Sequence, residues 1–242
     1  MRKLFIILAS AALLFSGVDT VSAQSQEGHK CKVLLAGDST CAPRKEKDRP
    51  KWGWGEKLSQ FLDGNEVRNH AMGGRSTKSF IEEGRWDRLM GEVEKGDVVL
   101  IQFGHNDQKE GKPYYADAWG AYSENLTRVI NEVKAKEAVP VILTSMSRRH
   151  FKDGVLRHSH KDYPAAAKKV AADNGVVMLD IEELTWQWLT ALGEEESAKR
   201  FFVCVDGKDN THLVEQGAQE VAQIVAKALK TCGDPYLEAL VK

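Results

Sequence analysis

The chain has 242 residues, 42% of them hydrophobic and 29% charged, and 34 basic against 35 acidic side chains leave a formal charge of −1. That balance suits a globular protein with a substantial core. It excludes the concentrated positive field that nucleic-acid phosphates require, so nucleic acid is not an expected partner.

At the N-terminus, Arg2 and Lys3 precede an apolar run from Leu4 to Phe15, followed by Val21-Ser22-Ala23 and Gln24. The run is shorter than the roughly 20 apolar residues of a spanning helix, and the pattern is that of a secretory signal peptide covering residues 1–23. A periplasmic or secreted protein without a membrane anchor after cleavage is expected. Residues 24–242 are expected to form one domain, since no linker or repeat divides them.

Residues 31–36 form a brief apolar run ended by Gly37, which reads as a buried strand. A weaker strand is expected at 66–70, and further ones at 97–103, 140–144 and 176–181. Between and after them lie helical patterns at 118–136, 161–174 and 213–229. The first of these carries Tyr122, Leu126, Val129, Ile130 and Val133 on one stripe. Strands alternating with helices imply an α/β fold with a parallel sheet covered on both faces.

In such sheets the chemistry gathers in the loops beyond the carboxyl ends of the strands. Gly37-Asp38-Ser39-Thr40 follows the first strand, Ala71-Met72-Gly73-Gly74-Arg75-Ser76 the second and Gly104-His105-Asn106-Asp107 the third, while Asp209-Asn210-Thr211-His212 precedes the last expected helix. A serine hydroxyl needs a base to take its proton and a third group to orient that base. Ser39, His212 and Asp209 supply the three roles. The oxyanion formed by attack needs donors fixed in advance, and the Ser39 and Gly74 backbone N–H groups with the Asn106 side-chain amide are the candidates, Gly73 being the alternative to Gly74. Asp38 and Asp107 are read as structural, accepting hydrogen bonds from backbone amides of their turns. Each motif also has a plainer reading as a turn or helix cap. Four together favour catalysis.

At these four blocks the chain resembles the SGNH, or GDSL-type, hydrolase superfamily, and Gly74-Arg75-Ser76-Thr77-Lys78-Ser79-Phe80, Gly84-Arg85-Trp86 and Phe103-Gly104-His105-Asn106-Asp107 are similar to its rhamnogalacturonan acetylesterase branch. The resemblance implies a flavodoxin-like three-layer α/β/α sandwich around a five-stranded parallel sheet. It also implies a double displacement through an acetyl-Ser39 intermediate that uses no metal or cofactor, on an acetylated poly- or oligosaccharide. Acetylated xylan, a lipid ester or a thioester are other substrates for the same mechanism, and an inactive carbohydrate-binding envelope protein is the reading from another class.

His105, Arg149 and His158 are candidate substrate contacts. Arg148, Arg149 and Arg157 either meet uronate carboxylates or are ordinary exposed arginines. A divalent metal among His150, His158, His160, Asp153 and Asp162 is the minor reading of a loop expected to be solvated. Trp52 and Trp54 are expected in the core rather than as sugar-stacking platforms, and Trp186 and Trp188 in the core or rim of a late helix. Cys31, Cys41, Cys204 and Cys232 allow three disulfide pairings, of which Cys41 with Cys204 would tie two loops of the site together.

Overall fold

The computed structural model describes residues 31–242; the export signal expected at residues 1–23 lies outside the described residues. The strands are β1 (Lys32–Gly37), β2 (Glu66–Asn69), β3 (Val98–Gln102), β4 (Val139–Leu143), β5 (Phe151–Lys152), β6 (Val155–Leu156) and β7 (Val177–Leu179). The α-helices are α1 (Thr77–Glu82), α2 (Arg85–Met90), α3 (Ser123–Ala135), α4 (Tyr163–Asp173), α5 (Ile181–Ala198), α6 (Val203–Asp206), α7 (Glu215–Lys230) and α8 (Pro235–Glu238). Five strands form a wholly parallel sheet in the order β2-β1-β3-β4-β7, and β5 and β6 make a small antiparallel hairpin within the loop after β4.

Side chains alternate between the faces of the sheet, as the two-residue strand repeat requires. Val33 and Leu35 of β1 join Val98, Leu100, Val141 and Leu143 under α5 and α7. Leu34 and Ala36 join Val99, Ile101 and Ile142 under α1 to α4. Covering on both faces explains why β1 and β3 read as unbroken apolar runs. Edge strand β2 is the exception. Glu66 and Arg68 are exposed there, and the apolar signal is correspondingly weak.

Two helix boundaries differ from expectation for identifiable reasons. The stripe from Tyr122 to Val133 is buried as expected, but α3 starts only at Ser123, because Gly120 breaks the preceding turn with non-helical angles (φ −108°, ψ −113°). The chain leaves β7 at Leu179 and enters α5 at Ile181, with Asp180 capping the Glu183 N–H, so the expected strand to residue 181 is cut short by a helix start.

The strand order reverses between β1 and β3: the chain moves outward from β1 to β2 on one side and from β3 to β4 on the other. A crevice opens beyond the carboxyl ends of the two strands at this switch point. Ser39 follows β1 and Asn106 follows β3, so the topology itself sets them beside the crevice.

Candidate active site

The nucleophile turn is held from beneath. Buried Asp38 accepts from the Thr40 backbone N–H and hydroxyl, both at 2.9 Å, and the Ala42 N–H closes a helical turn onto the Asp38 carbonyl at 3.0 Å. The Thr40 hydroxyl in turn accepts from Gln102 Nε2 at 2.9 Å, and Gln102 Oε1 accepts from the Trp54 indole at 2.9 Å. Gln102 is therefore the one polar side chain of an otherwise apolar β3 because the nucleophile turn stands on it. Trp54 is fully buried, as expected. The flanking glycines allow its segment to pack against this turn, since a Cβ on Gly53 would lie 2.1 Å from the Ala42 carbonyl oxygen. Trp52 is no sugar platform either: Arg49 and Lys57 occupy its faces at 3.4 and 3.8 Å from the ring centre.

His212 arrives from the far end of the chain. Two single bridges fix its loop, Trp52 with Leu213 and Phe201 with Leu213, and the Phe202 N–H donates to the His212 carbonyl at 2.8 Å. Asp209 Oδ1 accepts from the Thr211 and His212 N–H groups at 3.1 and 3.0 Å. Its Oδ2 pairs with His212 Nδ1 at 2.8 Å and with Lys51 at 2.8 Å. Burial by itself would raise the Asp209 carboxyl, but the hydrogen bonds from His212 and Lys51 outweigh it and hold the group well below the usual carboxylate range. With the Nδ1 proton directed to Asp209, Nε2 faces the half-buried Ser39 hydroxyl at 2.9 Å. The three residues read as nucleophile, base and orienting acid form one continuous line of hydrogen bonds. His212 lies in the loop before α7, not in its first turn.

The loop after β2 turns at Met72-Gly73-Gly74-Arg75, closed by the Arg75 N–H on the Met72 carbonyl at 3.3 Å, with Gly74 at φ +80° where a type II turn demands glycine. Backbone conformation, not contact, requires Gly74: an added Cβ would meet nothing within 4 Å, whereas one on Gly73 would lie 3.6 Å from Ser39 Cβ. Asn106 is held at both ends, its Nδ2 donating to the Arg75 carbonyl at 2.9 Å and its Oδ1 accepting from Lys109 at 2.7 Å. Both contacts assign the amide orientation and leave one N–H uncommitted. Among the described residues, the Ser39 and Gly74 N–H groups likewise donate to no protein acceptor. Three such donors are what a developing oxyanion needs, each worth about 3 kcal/mol in a comparable enzyme. Asp107 sits behind them, its Oδ1 accepting from the Thr77 N–H and hydroxyl at 2.8 and 2.6 Å, which ties this loop to the start of α1. Its other oxygen is buried without a partner, and burial, opposed by the Thr77 hydrogen bonds, pushes its carboxyl up to about 7.

Residues 35–220 match the GDSL-like lipase/acylhydrolase family. The chain belongs to that family. It is 40% identical to rhamnogalacturonan acetylesterase RhgT of Bacillus subtilis over 87% of this chain and 94% of that one. It is 27% identical to a rhamnogalacturonan acetylesterase of Emericella nidulans over 87% of this chain and 89% of the fungal one. The solved structure of YxiM from Bacillus subtilis superposes with a TM-score of 0.76 at 25% identity, covering 85% of this chain but only 58% of that longer one. The three-layer α/β architecture is thus that of GDSL-type hydrolases.

Other expected contacts need correction. His105 is buried, not open to substrate; its Nδ1 accepts from Arg148 Nε at 3.2 Å and meets His160 Nε2 at 3.0 Å. Arg149 is turned away, donating to Asn210 Oδ1 at 2.7 Å and to Ser197 Oγ at 3.1 Å, so that it braces the His212 loop. His158, by contrast, is exposed, as a substrate contact would have to be, and stacks on Trp186 with ring centres 5.3 Å apart. The histidines considered for a metal diverge, because buried His160 turns its Nδ1 to Glu182 at 2.7 Å; no metal-binding group of three such side chains occurs among the described residues. No disulfide links Cys41 to Cys204. All four cysteines are free, and Cys41 is buried under the nucleophile turn whereas Cys204 is exposed on α6.

Sequence reasoning missed Gln102, Lys51 and the Glu182–His160 pair. A lone Gln in an apolar strand was a usable signal. A glutamate in the first turn of a helix was not, since that is where exposed acids ordinarily sit.

Proposed function

We propose that this family member is an exported serine esterase that removes O-acetyl groups from pectic polysaccharide of the rhamnogalacturonan type. The observation that carries the chemistry is the continuous Asp209–His212–Ser39 line, with contacts of 2.8 and 2.9 Å, beside three uncommitted N–H donors. The 40% identity to RhgT over nearly the whole chain supports the substrate, and the N-terminal pattern supports export.

In this reading the Ser39 oxygen attacks the acetyl carbonyl carbon while its proton passes to His212 Nε2. The negative charge on the former carbonyl oxygen is received by the N–H groups of Ser39, Gly74 and Asn106. Collapse breaks the bond to the sugar oxygen, which takes the proton from His212, and acetyl-Ser39 remains. Water then adds to the acyl carbon with His212 again as base, and acetate leaves as Ser39 regains its proton. Asp209 keeps its charge throughout and stabilises the imidazolium.

The test is acetate release from acetylated pectin, acetylated xylan and nitrophenyl acetate by wild type and Ser39→Ala. Release from pectin in preference to xylan, lost in Ser39→Ala, is the expected outcome. Release from pectin that persists in Ser39→Ala would sink the reading.

A further inference from the structure

The triad leaves a second line of buried polar groups unexplained. Glu182 Oε1 meets His160 Nδ1 at 2.7 Å, His160 Nε2 meets His105 Nδ1 at 3.0 Å, and Arg148 Nε donates to that same His105 nitrogen at 3.2 Å. Glu182, His160 and His105 are all buried. Because His105 Nδ1 accepts from Arg148, His160 Nε2 must donate to it, and the remaining proton lies between His160 and Glu182. Burial holds the His105 ring well below the ordinary histidine range, and the neighbouring His160 and Arg148 push the same way, so it remains a neutral acceptor. The line therefore ends on one fixed guanidinium.

Arg148 also donates through one terminal nitrogen to the His105 carbonyl at 3.2 Å, so His105 occupies one edge of its fork. Among the described residues its other terminal nitrogen has no hydrogen-bond partner, and the side chain is only partly buried. Arg148 lies beside the site: His105 precedes Asn106, and the neighbouring Arg149 N–H donates to the Asn210 carbonyl of the His212 loop at 3.0 Å. The Arg148–Arg149 pair thus touches both the oxyanion loop and the loop of the base. Burial works against its charge, with Asp38 and Asp209 offsetting it only in part, and no carboxylate pairs with it among the described residues. Half-buried Arg44, donating to the Ser39 carbonyl, likewise meets a neutral oxygen. Desolvated cations without counterions are costly unless a ligand supplies the opposite charge.

We infer that Arg148 is a specificity-determining residue whose open guanidinium edge binds a carboxylate of the acyl-bearing sugar chain, with the Glu182–His160–His105 line fixing its orientation. The inference rests on the acetylesterase reading and deepens it by naming the side chain that recognises the uronate of such a polymer. Two parallel N–H groups match a carboxylate, which a single ammonium does not.

The experiment compares acetate release from acetylated rhamnogalacturonan oligosaccharides and from the same material with its carboxyls methyl-esterified. Wild type should favour the free acid in kcat/KM. Arg148→Gln should lower that free-acid to ester ratio by about 10- to 100-fold through KM, the scale of one hydrogen-bonded charge. Arg148→Lys should retain part of it. Equal loss on both substrates in Arg148→Gln would show a merely structural role and overturn the inference, as would a wild-type ratio near one. Wild type that releases acetate from neither form, yet cleaves nitrophenyl acetate through Ser39, overturns the polysaccharide reading and the inference together; a ratio near one with brisk release overturns the inference alone.

Discussion

Two carboxylate–histidine pairs stand at the same end of the sheet, and locally they are nearly the same object. Asp209 holds His212 Nδ1 at 2.8 Å and Glu182 holds His160 Nδ1 at 2.7 Å. What differs is the partner of the other ring nitrogen. His212 presents Nε2 to a half-buried hydroxyl, whereas the second ring, wholly enclosed, presents Nε2 to another imidazole. An oriented histidine is therefore only half of a general base. The other half is a proton donor that substrate can reach.

The largest effect that tests this contrast is on turnover. His212→Ala should lower kcat on nitrophenyl acetate by about 10⁴-fold or more, and adding Ser39→Ala should cost little further, because the triad acts as a unit. Additive losses would separate the two residues. His160→Ala should show the opposite profile. Leaving Glu182 buried and unpaired costs about 3–5 kcal/mol, or roughly 6–20 °C in Tm for a protein of this size, with a far smaller fall in kcat than His212→Ala. A His160→Ala protein that melts like wild type would contradict the enclosed pair's structural role.

A smaller effect comes from Asp107, which has burial in common with the second pair and a place in the site in common with the first. Its carboxyl loses a proton near pH 4 in the unfolded chain but only at about 7 in the fold. The folded state therefore binds the extra proton between those values, so this group's contribution is fully present below about pH 4 and lost as pH rises through 7. The Tm of Asp107→Asn minus that of wild type should grow across that window and then level off; a difference independent of pH would refute it. The smallest effect is at the thiols. Cys204 should react with a thiol reagent in the native protein and Cys41 only on unfolding, and Cys204→Ser should shift stability by less than about 0.5 kcal/mol. Loss of a disulfide would cost several times more.

The contrast also explains what could be read before any coordinates. Strands β1 and β3 were legible because burial on both faces makes nearly every position apolar, and Ser39, Asp209 and His212 were legible because short loop motifs stand where α/β sheets concentrate chemistry. The Glu182–His160–His105 line was not. Its members lie 22 and 55 residues apart, and in sequence a histidine between Ser159 and Lys161 looks solvated. The same blindness placed His105 and Arg149 against substrate, since sequence position does not say which way a side chain turns from a loop. A glycine also hides its reason: the sequence does not say whether Gly74 is small for space or for backbone freedom, and it is the positive φ that requires it.

The contact between Ser39 and His212 joins residues 173 positions apart, and every strand of the sheet ends before the base is reached, β7 closing at Leu179. A chain emerging from its N-terminus therefore exposes all five strands and Ser39 before it has the histidine that, in the proposed mechanism, draws off the serine proton. Turnover begins only when the segment from Phe201 to Leu213 docks against Trp52. Esterase activity is thus a reporter of finished folding, and a chain truncated after α5, lacking both His212 and the α7 cover of one sheet face, should show none.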